Sequence, residues 1–121
     1  MAVGDSYLAF VIEQLEGLGR VRPRRMFGGV GLYHGERFFA LLADDTLYFK
    51  VDDSNRGDYL SRGMEPFRPF PDEPERAMGY YRVPVDVIED AESLVAWARR
   101  SVATAVPKPR RSARSGRGRR A

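Results

Sequence analysis

Several groups of residues have the types and spacing that chemistry requires. The stretch RMFGGVGLY (25–33) places Gly28, Gly29 and Gly31 within four positions. Glycines clustered in this way cradle phosphates, form bulges or admit a close backbone approach. A dinucleotide fingerprint needs G-x-G-x-x-G leading from a strand into a helix. Counted from Gly29, its third glycine would fall where His34 stands. The residues that follow read as another strand, so no helix N-terminus is available to a phosphate. A P-loop fails too, because no Gly-Lys-Ser/Thr occurs. The glycines therefore read as structural. Gly28 and Gly29 make a bend or bulge, and Gly31 leaves room for a helix or a large ring such as Trp97.

His34 is the lone histidine and falls beside Gly35 in a predicted turn. A general base needs reach to a substrate and an orienting partner, so His34 is expected to be a solvated turn residue. With no cysteine, disulfides, thiolate metal sites and cysteine nucleophiles are excluded. Only carboxylates remain for a metal. The pairs Asp44-Asp45 and Asp52-Asp53 have the oxygen chemistry of Mg²⁺ or Ca²⁺ sites. Both flank a predicted strand, where aspartates serve turns and caps, and neither a metal nor a cofactor is expected. An enzyme would have to draw on Asp52 and Asp53 with Arg25 or Tyr48, converging in a pocket with a shifted pKa. Nothing in the sequence demands one, and a non-enzymatic chain is the expectation. Tyr48, Tyr80 and Tyr81 raise a sheet surface on which bases stack. The usual RNA-reading aromatic motif is missing and the neighbourhood is acidic. Burial of most of these rings against helices is expected, with any exposed remainder free to serve a protein interface.

The strongest physical signal is the C-terminal segment PKPRRSARSGRGRRA. Residues 1–106 carry 13 basic against 17 acidic side chains, a balance of −4, whereas the last fifteen hold seven basic ones and no acid. Lys108, Arg110, Arg111, Arg114, Arg117, Arg119 and Arg120 are interleaved with Ser, Gly and Pro and no large apolar residue. Such a segment cannot bury anything and is expected to be disordered. It can spread over phosphates and release counterions, with almost no base specificity. A solubilising terminus in an arginine-rich genome would look the same, with 18 Arg against 2 Lys in the chain. Both readings stay open.

The elements that must position these groups follow from periodicity. At 121 residues and 43% apolar, the chain has material for one core and a tail. In DSYLAFVIEQLEGL, Leu8, Val11, Ile12, Leu15 and Leu18 recur at helical spacing, with Asp5 as N-cap and Gly17 or Gly19 as stop. Arg22–Met26 is extended, and Pro23 suits an edge strand. GVGLY and ERFFALL form a hairpin across HG, Asp44-Asp45 makes the next turn, and TLYFKV alternates. A short helix lies between caps at Asp53 or Ser54 and Gly63. Four prolines make the stretch 64–77 a loop at least in its second half, with Phe67 and Phe70 on an edge strand. MGYYRVPV (78–85) returns to strand. Asp90 then caps a last helix with Leu94, Trp97 or Ala98, Ser101 and Val102 inward. The economical solution is an α+β two-layer sandwich, a mainly antiparallel sheet with helices packed on one face. The domain spans 1–106 and the basic tail 107–121.

These residues together resemble a known family. The ordered motifs are MFGG (Met26, Phe27, Gly28, Gly29, then Gly31), LYFKV (Tyr48, Phe49, Lys50), G-M-x-P-F (Gly63, Pro66, Phe67), YY-x-VP (Tyr81, Pro84) and LVAWA (Trp97). Over roughly residues 6–100 they closely resemble the N-terminal domain of the TfoX/Sxy family, which includes regulators of bacterial competence genes. The resemblance implies an α+β fold and supplies no catalytic residues. In the competence regulators a second, helical domain follows; here the basic tail stands in its place. The expected function is a regulatory module in the cytoplasm, without a membrane segment. It would act through a protein partner, and through non-specific DNA or RNA contacts of the tail. A small enzyme and a homo-oligomeric scaffold are the alternatives, the latter signalled by an exposed apolar strand edge or helix face.

Overall fold

The computed structural model describes residues 4–26, 29–67 and 79–105. Helix α1 (Asp5–Gln14) runs into a 3-10 turn (Glu16–Leu18). Strands β1 (Arg22–Met26), β2 (Gly29–His34), β3 (Arg37–Ala43) and β4 (Thr46–Lys50) follow, then α2 (Arg56–Leu60), β5 (Tyr80–Arg82), α3 (Val85–Glu89) and α4 (Ala91–Thr104). The strands form one antiparallel sheet in chain order. This is the α+β sandwich the periodicity predicts, and among the described residues no helix is long and apolar enough to cross a membrane. Phe27, Gly28, Phe70 and the tail from 107 lie outside the described residues.

Two tight turns set the meander. Gly35 takes φ 64° between β2 and β3. Between β3 and β4, Asp44 and Asp45 hold φ 55° and 54°, as a two-residue hairpin loop with both central residues left-handed requires. A bulge in β3 pairs Leu32 with Ala40 but Tyr33 with Phe38, leaving Phe39 extra. Phe39 and Ala40 are consequently both buried in the core, while Phe38 joins Tyr33 on the opposite face.

Helices cover one face of the sheet. Val11 and Leu15 of α1, Leu18, Val87 and Ile88 of α3, and Leu94 and Ala98 of α4 share one buried cluster with Val30, Leu32, Phe39, Ala40, Leu42, Leu47 and Phe49. The spacing of Leu94, Ala98 and Ser101 puts all three on the inner stripe of α4. The last turn of α4 is held by Arg37, whose Nη1 donates to the carbonyls of Val102 (3.1 Å) and Ala105 (2.9 Å). A cation there satisfies otherwise orphaned acceptors and complements the helix dipole. At one sheet edge, Phe67 N donates to Tyr80 O (2.7 Å) and Arg82 N to Glu65 O (3.0 Å), so residues 65–67 cover β5. At the other edge, β1 carries Pro23 and three arginines, devices that discourage further pairing.

The local expectations need four corrections. Gly4, not Asp5, occupies the N-cap of α1; Asp5 is the first helical residue, its charge favourable beside the N-terminal dipole. Asn55, rather than Asp53 or Ser54, caps α2, and it is buried. The strand expected over 78–85 ends at Arg82, because Pro84 opens α3 at Val85. Trp97 does not lie against Gly31: its ring meets Tyr59 of α2 at 4.8 Å, edge on, under Arg62.

Candidate interaction surfaces

Of the carboxylates singled out for chemistry, Asp45, Asp52 and Asp53 each have a bonded partner. Asp52 Oδ1 accepts from Ser54 Oγ (2.6 Å) and Ser54 N (2.8 Å), which holds its carboxyl below the usual carboxylate range. Asp53 pairs with Arg56, three residues on. Asn55 draws the end of β4 to α2, accepting from Asp52 N (2.8 Å) and donating to Lys50 O (3.2 Å). Arg25 pairs instead with Asp5 of α1 at 3.1 Å. Tyr48 stands on the opposite sheet face, its hydroxyl pKa raised chiefly by burial. Asp52, Asp53, Arg25 and Tyr48 are thus not brought together. Among the described residues no group of three or more His, Cys, Asp or Glu is placed to hold a metal ion. Asp45 serves the backbone, accepting from Gly4 N at 2.8 Å.

His34 is not a solvated turn residue. It closes β2 half-buried, with Nε2 donating to Leu18 O at 3.2 Å, and ties the end of the 3-10 turn to the sheet. Gly29, expected in a bend or bulge, instead pairs in register with Met26 and makes a close approach: a Cβ built there would stand 2.5 Å from Leu42 O.

One groove lies between α1, the start of β4 and α3. It holds about 240 Å³ and is lined by Tyr7, Phe10, Leu47, Val85 and Ile88, with Asp45, Arg82 and Glu89. Phe10 and Val85 are 38% and 57% exposed. Helical spacing places Phe10 one residue before the buried Val11, on the flank of the α1 stripe. A second, more open groove runs between α1 and the edge strand, with Leu8, Ala9, Ile12 and Pro23 beside Asp5, Glu13 and Glu16.

The sheet face away from the helices departs furthest from expectation. Strand alternation sends Arg22, Arg24, Tyr33, Phe38, Leu41, Tyr48, Lys50, Tyr80 and Arg82 to that side, as their cross-strand pairings require. Only Tyr81 of the three singled-out tyrosines lies on the helix side, 5.8 Å from Tyr59. Tyr33 stacks on Phe38 at 5.1 Å and 18°, and Phe38 meets Tyr80 at 5.4 Å. Arg22 lies over the Tyr33 ring at 5.1 Å and Lys50 over Tyr80 at 5.4 Å. A second ring pair, Tyr48 and Phe67, lies 4.9 Å apart, with Arg82 directly across from Tyr48. Tyr80 is buried and its hydroxyl pKa is pushed up to about 12 by desolvation; Tyr33, Phe38, Tyr48 and Phe67 are half-buried. Sequence reasoning named Tyr48 and Tyr80 but missed Tyr33 and Phe38, because the bulge that brings those two together leaves no mark in the alternation.

The fold and these surfaces define a small α+β two-layer domain whose notable side chains are spread over faces of the molecule. The chain belongs to the TfoX N-terminal domain family, which it matches over residues 13–105. It is also 34% identical over 113 residues to an uncharacterized 12.7 kDa protein from the trpE 5′ region of Spirochaeta aurantia, covering 93% of this chain and 92% of that one. The family motifs fall at structural positions. Gly31 lies in β2, while Tyr48, Phe49 and Lys50 lie in β4. Gly63 follows α2 in a turn at φ 73°, Pro66 bridges Tyr81, and Pro84 caps α3.

Proposed function

We propose that this chain is a regulatory interaction module, working in the cytoplasm through a protein partner rather than through catalysis. On this reading its basic terminus adds sequence-independent affinity for nucleic acid. The observation that carries it is the groove between α1 and α3, where Phe10 and Val85 remain exposed around an apolar lining. The domain's own fold leaves both side chains substantially exposed, and apolar patches rimmed by charge mark interaction sites. Asp45, Arg82 and Glu89 line the same groove and supply the polar contacts that set orientation. Family membership supports a regulatory role, since regulators of competence genes carry the same domain.

Two experiments test the two parts. Transcript profiles are compared among cells carrying the parent chain, a deletion, and a folded Phe10→Glu/Val85→Glu variant. The variant should reproduce the deletion's changes; parental profiles from both strains would overturn the regulatory reading. For the tail, random-sequence duplex binding is measured for the full chain and for one with the seven basic tail residues changed to Ser. If all seven contacts form, the log–log salt slope is roughly −6 and is lost on substitution. No binding by either chain at low salt would remove nucleic acid from the proposal.

A further inference from the structure

The helix-free face of the sheet has a composition that a solvated face does not need. An antiparallel sheet with one covered face ordinarily turns polar residues to water on the other. Here the strands present Tyr33, Phe38, Leu41 and Tyr48, with Phe67 packed alongside. The strand charges on this face are of one sign, and Glu65 stands at its edge in a pocket with Tyr48 and Arg82. Arg22, Arg24, Lys50 and Arg82 project from the face, and none of the strand residues on this side is a carboxylate. Yet residues 1–106 are acidic as a whole. Among the described residues the acids lie in helices, turns and loops, and the strands carry none.

The rings and cations are also ordered. A cation stands at each end of the row Arg22–Tyr33–Phe38–Tyr80–Lys50, whose steps are 5.1, 5.1, 5.4 and 5.4 Å. Arg82 is the cross-strand neighbour of Tyr48, at the edge beside the Tyr48–Phe67 pair. We propose that this face binds single-stranded nucleic acid, with bases stacking on the half-buried rings and phosphates meeting the flanking arginines and lysine. Single strands expose the faces of their bases, which a duplex hides within its own stack. An acidic peptide would satisfy the cations and leave the rings without a counterpart. Stacking tolerates any base, so weak sequence preference follows. This site belongs to the folded domain and does not depend on the tail reading.

The test uses the full chain and its tail-substituted form, with labelled oligo(dT), oligo(U) and a duplex. Strands of about twenty nucleotides exceed a typical site of roughly 4–16. The tail-substituted chain should still bind single strands and prefer them to duplex. Four phosphate contacts give a salt slope near −3, by about 0.7 per contact on single strands. Tyr33→Ala and Tyr48→Ala should each weaken binding about five-fold or more, the effect expected when one stacked base loses its ring. Tyr48→Phe should retain it. Arg24→Glu alters only an exposed charge and should weaken binding with the fold intact by circular dichroism. Tighter binding of oligo(U) assigns the site to RNA, and of oligo(dT) to DNA. The proposal is overturned if the tail-substituted chain binds no single strand at low salt, if it binds duplex equally well, or if folded Tyr48→Ala and Arg24→Glu bind as the parent does. Loss of duplex binding alone on tail substitution bears only on the tail.

Discussion

A Cβ on Gly29 would stand 2.5 Å from the carbonyl oxygen of Leu42, nearer than real Cβ atoms approach such a group. Gly29 pairs with Met26, and the next residue, Val30, pairs with Leu42. The obstacle is therefore the backbone of β3, which cannot swing aside as a side chain would. Gly29→Ala should force β2 and β3 apart and cost about 2 kcal/mol or more, the scale of overpacking in a well-packed interior. Urea unfolding reads this directly; an unchanged midpoint would show that the strands yield freely. Gly35→Ala provides the contrast. Nothing lies within 4 Å of its Cβ, so only the left-handed φ of 64° resists, at about 1 kcal/mol.

Much of this fold is legible in the sequence because its long elements are strongly periodic. Leu8, Val11, Ile12, Leu15 and Leu18 mark α1 and its 3-10 extension, and Leu94, Ala98 and Ser101 mark the inner stripe of α4. Short elements carry less. Val85–Glu89 has five residues, two of them valine, and reads as the end of a strand until Pro84 is seen to open a helix. Asn55 is hidden beside Asp53 and Ser54, which are equally good caps by type. The surfaces were harder still. Alternation separates Tyr48 from Phe49 but does not say which of the two faces the helices, and packing alone decides that.

The Asp44-Asp45 turn stores strain. Both residues hold left-handed φ without being glycine, a conformation costing L-residues roughly 1–2 kcal/mol. The Asp45 side chain accepts from Gly4 N, whereas Asp44 is engaged through its carbonyl, which accepts from Thr46 Oγ1 (3.2 Å) and which glycine keeps. Asp44→Gly should therefore match or exceed the parent's stability by up to about 1 kcal/mol, after the added unfolded-state entropy of glycine is set against relieved strain. Asp45→Gly should fall below Asp44→Gly by about 1 kcal/mol, the ordinary net worth of a hydrogen bond. Equal stabilities would mean that the tie between Asp45 and α1 contributes nothing.

The Tyr59 hydroxyl and Ser101 Oγ lie together in the core, each buried without a hydrogen bond of proper geometry. Burial raises the Tyr59 pKa, and the neighbouring Ser101 only partly offsets it. Removing both polar atoms takes away two desolvation penalties and no good bond. The double variant Tyr59→Phe/Ser101→Ala should be at least as stable as the parent, because apolar replacement of both partners is near neutral or favourable. Alanine's helix propensity in α4 adds in the same direction. A loss beyond about 1 kcal/mol would show that the pair is bonded in solution.

Tyr80 gives the sheet face a pH dependence at the alkaline end. Desolvation lifts its hydroxyl from the ordinary 10.0 to about 12, and the hydroxyl donates to Phe38 O at 3.3 Å. A raised native pKa means that the unfolded chain ionises first. The stabilisation is therefore fully present below pH 10, falls as pH rises from 10 toward 12, and is gone above the native value. Tyr80→Phe removes the titrating group and keeps the ring that meets Phe38 and Lys50. Denaturant midpoints measured between pH 9 and 12 should fall less steeply in that variant than in the parent, while at pH 8 the variant is less stable by about 1 kcal/mol or less, the net worth of the bond to Phe38 O. Tyr59, also raised by burial, continues to contribute in both chains, so the slope should flatten without vanishing. Parallel curves would mean that the Tyr80 hydroxyl is open to water, and that the row from Arg22 to Lys50 is looser than its distances indicate.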